Sequence, residues 1–278
     1  MSDTKSRRWF ITGISSGFGR TLATELVRRG EKVCGTVRRQ DQIAELEAEG
    51  VATVLLDVND AARAGPAVAE AIERLGGIDV LVNNAGYGLM GAIEAFDEAA
   101  IRDVMETNFF GALRVTRAAL PELRAHGGAI IAISSMAGAV GIGGAGAYCA
   151  SKFALEGLFE SLAEELAPWN VQVLIVEPSS FRTDFHGRSM HTTPNVIDAY
   201  RGTQAGDMNE LLVEYGGNEA GDPVKGVCAI IHALDAPNPP LRLALGADAV
   251  QAIEAKQERD RKDIAEWRDV AIATAFDS

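Results

Sequence analysis

The chain has 278 residues, 47% hydrophobic and 23% charged, a balance that excludes a disordered, collagenous or coiled-coil protein and suits one large domain burying about three quarters of its unfolded surface. Its 26 Lys and Arg against 39 Asp and Glu give a formal charge of −13, so the surface repels phosphate backbones and anionic headgroups, and neither nucleic acid nor a membrane surface is an expected partner. Three widely spaced cysteines (Cys34, Cys149, Cys228) and four histidines (His126, His186, His191, His232) form no CxxC or HExxH pattern, which argues against a disulfide framework or a zinc site.

Residues 1–8 are polar and basic and lead into an apolar run too short for a secretory-signal core. No stretch of about eighteen apolar residues follows, so no membrane span is expected and the expected location is cytoplasmic. From there short apolar runs alternate with longer segments of helical period. Strands are predicted over 8–12, 32–37, 53–56, 78–82, 129–134, 171–177 and 241–245, and amphipathic helices over 19–29, 40–49, 60–75, 97–126, 147–168, 222–234 and 248–273. Such alternation predicts an α/β fold: a single-domain, Rossmann-like, doubly wound parallel sheet of seven strands with helices on both faces, spanning 1–278. Sheets of this kind bind ligands at the carboxyl ends of their strands, where strand order reverses.

The first strand runs directly into Gly13, Ser15, Ser16, Gly17, Phe18 and Gly19, where a helix begins. Glycines there let the backbone turn tightly and approach a pyrophosphate, and the helix N-terminus offers free N–H groups and a positive dipole end. A site for NAD places an acid on the ribose about twenty residues further on. Here the second strand ends in Arg38 and Arg39, guanidinium groups that suit the 2′-phosphate of NADP, with Ser16 as a further donor. Asp57 and Val58 follow the third strand and Asn83, Asn84, Ala85 and Gly86 the fourth, at the sheet edge where adenine and its ribose would rest. Small Ala85 and Gly86 permit close approach, and Asn83 reads as a residue that ties neighbouring strands together.

After the fifth strand comes Ser135, with Tyr148 thirteen residues beyond and Lys152 four residues after that. Tyr148 and Lys152 share one helix face and can reach one cleft. A phenol is a poor acid or base at neutral pH, and a neighbouring ammonium, together with a cationic nicotinamide ring when the cofactor is oxidised, is expected to pull its pKa down towards the working range. Ser135 can then hold an oxygen on which negative charge develops. The adjacent Cys149 lacks a histidine at a readable spacing and reads as a small core residue.

Two segments break the rhythm. Residues 179–221 form a connection too long for a simple turn and read as a substrate-binding loop or lid, carrying Phe181, Phe185, His186, Met190, His191, Tyr200, Met208 and Tyr215. With Tyr87, Gly88, Leu89 and Met90 and with Met136, Ala137 and Val140, it is expected to wall an apolar pocket. The other is an extra C-terminal helix over 247–273, read as a solvated surface helix or a dimer contact.

Taken together, the glycine loop, Asn83-Asn84-Ala85-Gly86, Asn108 forty residues before the tyrosine, Ser135 and the Tyr148-x-x-x-Lys152 pair resemble the classical short-chain dehydrogenase/reductase family over residues 9–183. The extra tail is similar to its hydroxysteroid and retinol dehydrogenase branch. The resemblance implies a general acid/base at Tyr148, a substrate-orienting hydroxyl at Ser135, a lysine at Lys152 that binds the nicotinamide ribose, and an asparagine at Asn108 that anchors a relay water. It also implies a nicotinamide-binding segment through Pro178, Phe181 and Thr183, with a departure at Ser179, where glycine is usual. No metal is implied. The function expected is NADP(H)-dependent hydride transfer between nicotinamide and a ketone or secondary alcohol with a hydrophobic body, in a homodimer built through the helices over 97–126 and 147–168. A non-catalytic NADP-binding sensor and an epimerase or dehydratase of the extended relatives are the alternatives; the latter would use a different glycine spacing.

Overall fold

The computed structural model describes residues 6–276 other than 194, 196, 209, 211 and 213–215. Tyr215 and the imidazole of His186, both expected in the loop's pocket lining, lie outside the described residues. Seven parallel strands make the main sheet: β1 (Arg8–Ile11), β2 (Lys32–Val37), β3 (Ala52–Leu55), β4 (Val80–Asn83), β6 (Gly128–Ile133), β7 (Val171–Pro178) and β9 (Arg242–Leu245), in the order β3-β2-β1-β4-β6-β7-β9. From β1 the chain winds outward to β3, returns to β4 beside β1, and winds the other way, which opens a crevice between β1 and β4.

Both faces of the sheet are covered, so its strands read as unbroken apolar runs. Alternate residues of β1 serve opposite cores. Trp9 and Ile11 pack with α1 (Gly17–Arg28) and α9 (Pro223–Leu234) through Leu22, Leu26, Val227 and Ile230. Phe10 packs with α3 (Ala61–Leu75), α5 (Ala112–His126) and α7 (Gly146–Leu166) through Val68, Val115, Leu155 and Phe159. Helix starts are set by aspartates: Asp60 accepts from Ala62 N ahead of α3, and Asp222 accepts from Val224 N ahead of α9, where Pro223 opens the first turn.

Two features depart from the predicted elements, and two more bear on expectations at Ser179 and the C-terminal helix. The helix expected over 97–126 is α4 (Glu98–Met105), a π-helical turn at Glu106–Gly111 and α5; Asn108 lies in that turn, and such turns often mark functional sites. Two short strands, β5 (Gly88–Met90) and β8 (Met190–Thr192), pair with each other in parallel and pin the 179–221 segment to the chain after β4. Three residues each are too few to show a period. Ser179 adopts an ordinary negative φ, since among the described non-glycine residues only Asn170 has a positive one. Room for its side chain comes from Gly246 (φ +93°), where an added Cβ would lie 2.2 Å from Ser179 Oγ. Finally, α10 (Ala247–Ile272) buries Ala249 but is exposed from residue 261 on, with Ile264, Trp267 and Val270 in solvent.

Candidate active site

A cavity of about 730 Å³ runs along the carboxyl ends of the strands. At one end lies the loop between β1 and α1. Gly13 (φ +71°) and Gly17 (φ +60°) take conformations that a side chain would strain. An added Cβ at Gly13 would also lie 3.1 Å from Ala85 Cα. Asn84 Nδ2 holds the loop by donating to the Thr12 and Gly13 carbonyls at 2.9 and 2.8 Å, and Gly13 N donates to Thr36 Oγ1 at 3.0 Å. Ser16 precedes the first turn of α1 and makes no side-chain cap bond, so the first N–H groups of the helix are left for another acceptor. Gly13, Ser15, Ser16, Gly17 and Phe18 line the cavity here, with Arg38 at the end of β2.

Asp57, Val58, Asn84, Ala85 and Gly86 line the middle, and Pro178, Phe181 and Thr183 the side beyond β7. Two predicted contacts are elsewhere. Gly19 sits behind the loop, where a Cβ would lie 2.4 Å from both Asn84 Nδ2 and the Gly13 carbonyl; its smallness lets α1 approach. Arg39 gives its guanidinium to Asp41 and is outside the lining. Asn83 ties β4 to a helix and not to a neighbouring strand, its Nδ2 donating to Thr116 Oγ1 of α5 at 2.9 Å; Asn84 makes the bonds across to the end of β1.

The strand end at β6 and the helix α7 build the other end. Ser135 is extended, heads the short helix α6 (Met136–Ala139) by accepting from Ala137 N at 3.1 Å, and stands near enough to the buried Tyr148 hydroxyl to pull its pKa down. Lys152, 4% exposed, donates to the Ile133 carbonyl at 2.9 Å and lies 5.9 Å from the centre of the Tyr148 ring. All three line the cavity. Burial pushes the Tyr148 phenol up to about 12, with the Ser135 bond pulling the other way. Lys152 is drawn down to about 8 by burial, against the pull of Glu156. The protein's own groups thus raise the phenol; the lowering expected from the sequence also draws on a cationic nicotinamide. Loss of water outweighs an ammonium that spends its bond on a backbone carbonyl.

Asn108 stands behind the lining, 1% exposed. Its Oδ1 accepts from Tyr87 N and its Nδ2 donates to the Tyr87 carbonyl and Ser151 Oγ, each at 2.9 Å. It therefore fixes the turn after β4 against α7, with one acceptor lone pair left on Oδ1.

The remaining wall carries Tyr87, Met90, Met136, Ala137, Phe185, Met190 and Met208 as expected, with polar Arg188, Ser189, His191 and Gln204 among them. Gly88, Leu89 and Val140 are not in it; Leu89 packs with Val104 and Ala147 instead. Ile142, Ala145, Arg188, Gln204 and Leu212 were missed. The first two lie between Ser135 and Tyr148, and that position was signal enough. His191 joins the lining with its ring edge-on to Tyr87. Cys149 is buried, contacts the Val140 carbonyl through its thiol and has its pKa raised by burial, as a core cysteine should. Among the described residues no group of three or more His, Cys, Asp or Glu could hold a metal, and no helix is long and apolar enough to cross a membrane.

Comparison with known proteins agrees with this geometry. Residues 7–193 match the family described as short chain dehydrogenase. Human retinol dehydrogenase 8 is 36% identical over 253 residues, 85% of this chain and 80% of that protein. The crystal structure of a short-chain dehydrogenase from Streptomyces avermitilis superposes with a TM-score of 0.89 at 40% identity, covering 99% of this chain and 100% of that one. One from Burkholderia cenocepacia in complex with NADP gives a TM-score of 0.74 at 26% identity, covering 94% and 97%. With a family match over more than half its length and relatives of this identity, the chain belongs to the short-chain dehydrogenase family and is an oxidoreductase.

Proposed function

We propose that the protein is an NADP(H)-dependent carbonyl reductase acting on ketones with a hydrophobic body, with Tyr148 as general acid/base. The observation that carries this reading is the meeting of Ser135, Tyr148 and Lys152 on one cavity wall, with Lys152 Nζ 5.9 Å from the centre of the Tyr148 ring. The residues present suit a dinucleotide: the uncapped start of α1 offers N–H groups to a pyrophosphate, and the Gly13–Ala85 approach leaves the loop no side chain to obstruct it. When bound, the nicotinamide supplies or accepts a hydride at C4. Tyr148 gives its proton to the carbonyl oxygen in reduction, Ser135 holds that oxygen, and Lys152 holds the nicotinamide ribose and repays charge on the phenolate.

The preference for NADP is supported by Arg38, a cavity-lining guanidinium with no carboxylate partner among the described residues, and by the lack of an acid at the end of β2. The NADP-bound Burkholderia relative points the same way. An apolar wall rich in methionine and aromatic groups favours a hydrophobic substrate, in keeping with the name of the retinol dehydrogenase relative. We assign the 179–221 segment as the substrate loop because Phe185, Met190 and Met208 reach the cavity from it. A homodimer is supported by Phe110 and Phe153, 41% and 42% exposed, at the π-turn between α4 and α5 and on α7; its expected cellular setting is the cytoplasm. The test is loss of NADPH absorbance with a panel of apolar ketones. Tyr148→Phe is expected to abolish turnover and keep NADPH affinity; retained turnover, or cofactor binding with no turnover by the unaltered protein, overturns the reading.

A further inference from the structure

Three consecutive residues at and just past the end of β6 meet α7 at positions four residues apart. The Ile133 carbonyl accepts from Lys152 Nζ at 2.9 Å, Ser134 Oγ donates to Glu156 Oε1 at 2.6 Å, and Ser135 stands beside the Tyr148 hydroxyl, on which it acts. Tyr148, Lys152 and Glu156 stand on successive turns of one helix face. Two of these pairs are the reaction centre proposed above; the third, Ser134 with Glu156, has no part in it.

Glu156 is 3% exposed. It is bonded to Arg242 of β9, and the same guanidinium bonds Glu177 of β7 and Glu160 of α7, each at 2.8 Å. The charged groups facing Glu156 are therefore Lys152 and Glu160 from its own helix, Glu177 from β7 and Arg242 from β9. Gly138 of α6 closes the space above: a Cβ there would lie 2.2 Å from Glu156 Oε1 and 2.4 Å from Ser134 Oγ. Burial, with Glu177 adding to it, pushes the Glu156 carboxyl up to about 7, against the bonds from Ser134 and Arg242, so its charge is present above neutrality, in the range where Lys152 loses its proton.

We propose that Glu156 is a positioning residue for the reaction: through Ser134 it fixes the register of the β6 end against α7 that brings Ser135 to Tyr148, and through its charge it keeps Lys152 an ammonium. The inference rests on the acid/base reading of Tyr148. Register matters because Ser135 follows Ser134 directly, so a slip at one moves the hydroxyl of the other. Charge matters because burial alone draws Lys152 down towards neutrality, and Glu156 is the group that opposes this.

Two variants separate these contributions. Glu156→Gln keeps an oxygen to accept from Ser134 and removes the charge; Ser134→Ala removes the bond and leaves the carboxyl in place. In Glu156→Gln the alkaline limb of kcat/KM for NADPH is expected to move about one pH unit lower, while KM for the ketone holds. In Ser134→Ala kcat is expected to fall about tenfold or more, since small misplacements at a reacting centre are costly, with NADPH affinity unchanged. A wild-type kcat in Ser134→Ala overturns the proposal, as does an unmoved limb in Glu156→Gln. Should Glu156→Gln fail to fold with Arg242 left unpaired, Ser134→Ala still decides. Tyr148→Phe run alongside distinguishes the two failures: its inactivity with wild-type behaviour of the other variants sinks this inference alone, and its activity sinks the acid/base reading.

Discussion

Arg38 lines the cavity, whereas Arg39, the next residue, holds Asp41 through Nε at 2.9 Å from Oδ1. Adjacent guanidinium groups at the end of β2 thus differ in availability, and only Arg38 is placed to meet a phosphate. A charge-assisted hydrogen bond contributes about 1.5–3 kcal/mol. Arg38→Ala is therefore expected to raise the Kd for NADPH roughly ten- to a hundredfold and leave that for NADH nearly unchanged, while Arg39→Ala alters neither by more than about twofold. Isothermal titration with both cofactors checks this; equal losses for NADPH and NADH in Arg38→Ala would count against a 2′-phosphate contact.

The buried lysine sets a pH limit. With Lys152 drawn down to about 8, the ammonium that is to hold the ribose is present below that pH and lost above it. Tyr148, raised to about 12, keeps its proton throughout. The kcat/KM for NADPH, which reports the free enzyme, is expected to be flat towards neutrality and to fall with an apparent pKa near 8. In Lys152→Met that limb disappears along with most of the activity. A rate that rose through pH 9 would contradict the assignment.

The same lysine shows where sequence reading stops. The alternation of apolar runs and amphipathic segments was sufficient for the sheet, because each strand is covered on both faces and each helix must bury one. Tyr148 and Lys152 were legible because helical spacing alone puts them on one face. Glu156 lies on that face too, but its partners Ser134 and Arg242, and the Glu177 that shares Arg242 with it, come from the end of β6 and from β9 and β7, and their meeting is a property of the sheet order. Gly19 and Arg39 were assigned to the cofactor from their place in a motif. The side chains of Asn84 and Asp41 decide otherwise, one by occupying the space behind the loop and the other by capturing the guanidinium. The rise that burial imposes on the phenol was out of reach for a related reason: the depth of burial cannot be read from spacing.

On α1, Glu25 accepts from Arg28 at 2.7 Å and from Arg29 at 2.8 Å, and these bonds hold its carboxyl down at about 2. A carboxylate lowered on folding contributes stability that is complete above about 4.5 and is lost as the pH falls towards 2. Because Arg28 is largely exposed, screening reduces the contribution to about 1–2 kcal/mol. Glu25→Gln is expected to lose that much at pH 7 and to show a flatter decline in acid. Urea unfolding at several pH values from neutral to acidic measures both; parallel curves for the two proteins would remove Glu25 from the account of acid stability.

Phe110 and Phe153 expose large apolar rings at 41% and 42% in regions otherwise built from helix. Phe109 packs edge-on to Phe110 with centroids 4.9 Å apart, which holds the outer ring in place for a partner. Buried aromatic rings of this kind cover about 150–250 Å² each and dominate interface energetics. A second copy of the chain is the occupant we expect, joined through the α4–α5 and α7 faces. Light scattering should then give twice the chain mass of 29.5 kDa, and the double variant Phe110→Asp with Phe153→Asp should give the single-chain mass. Since neither ring lines the cavity, NADPH affinity is expected to survive the change. A tetramer, or a dimer indifferent to both aspartates, would place the contact elsewhere, and the exposed turn of α10 around Trp267 would be the next surface to substitute.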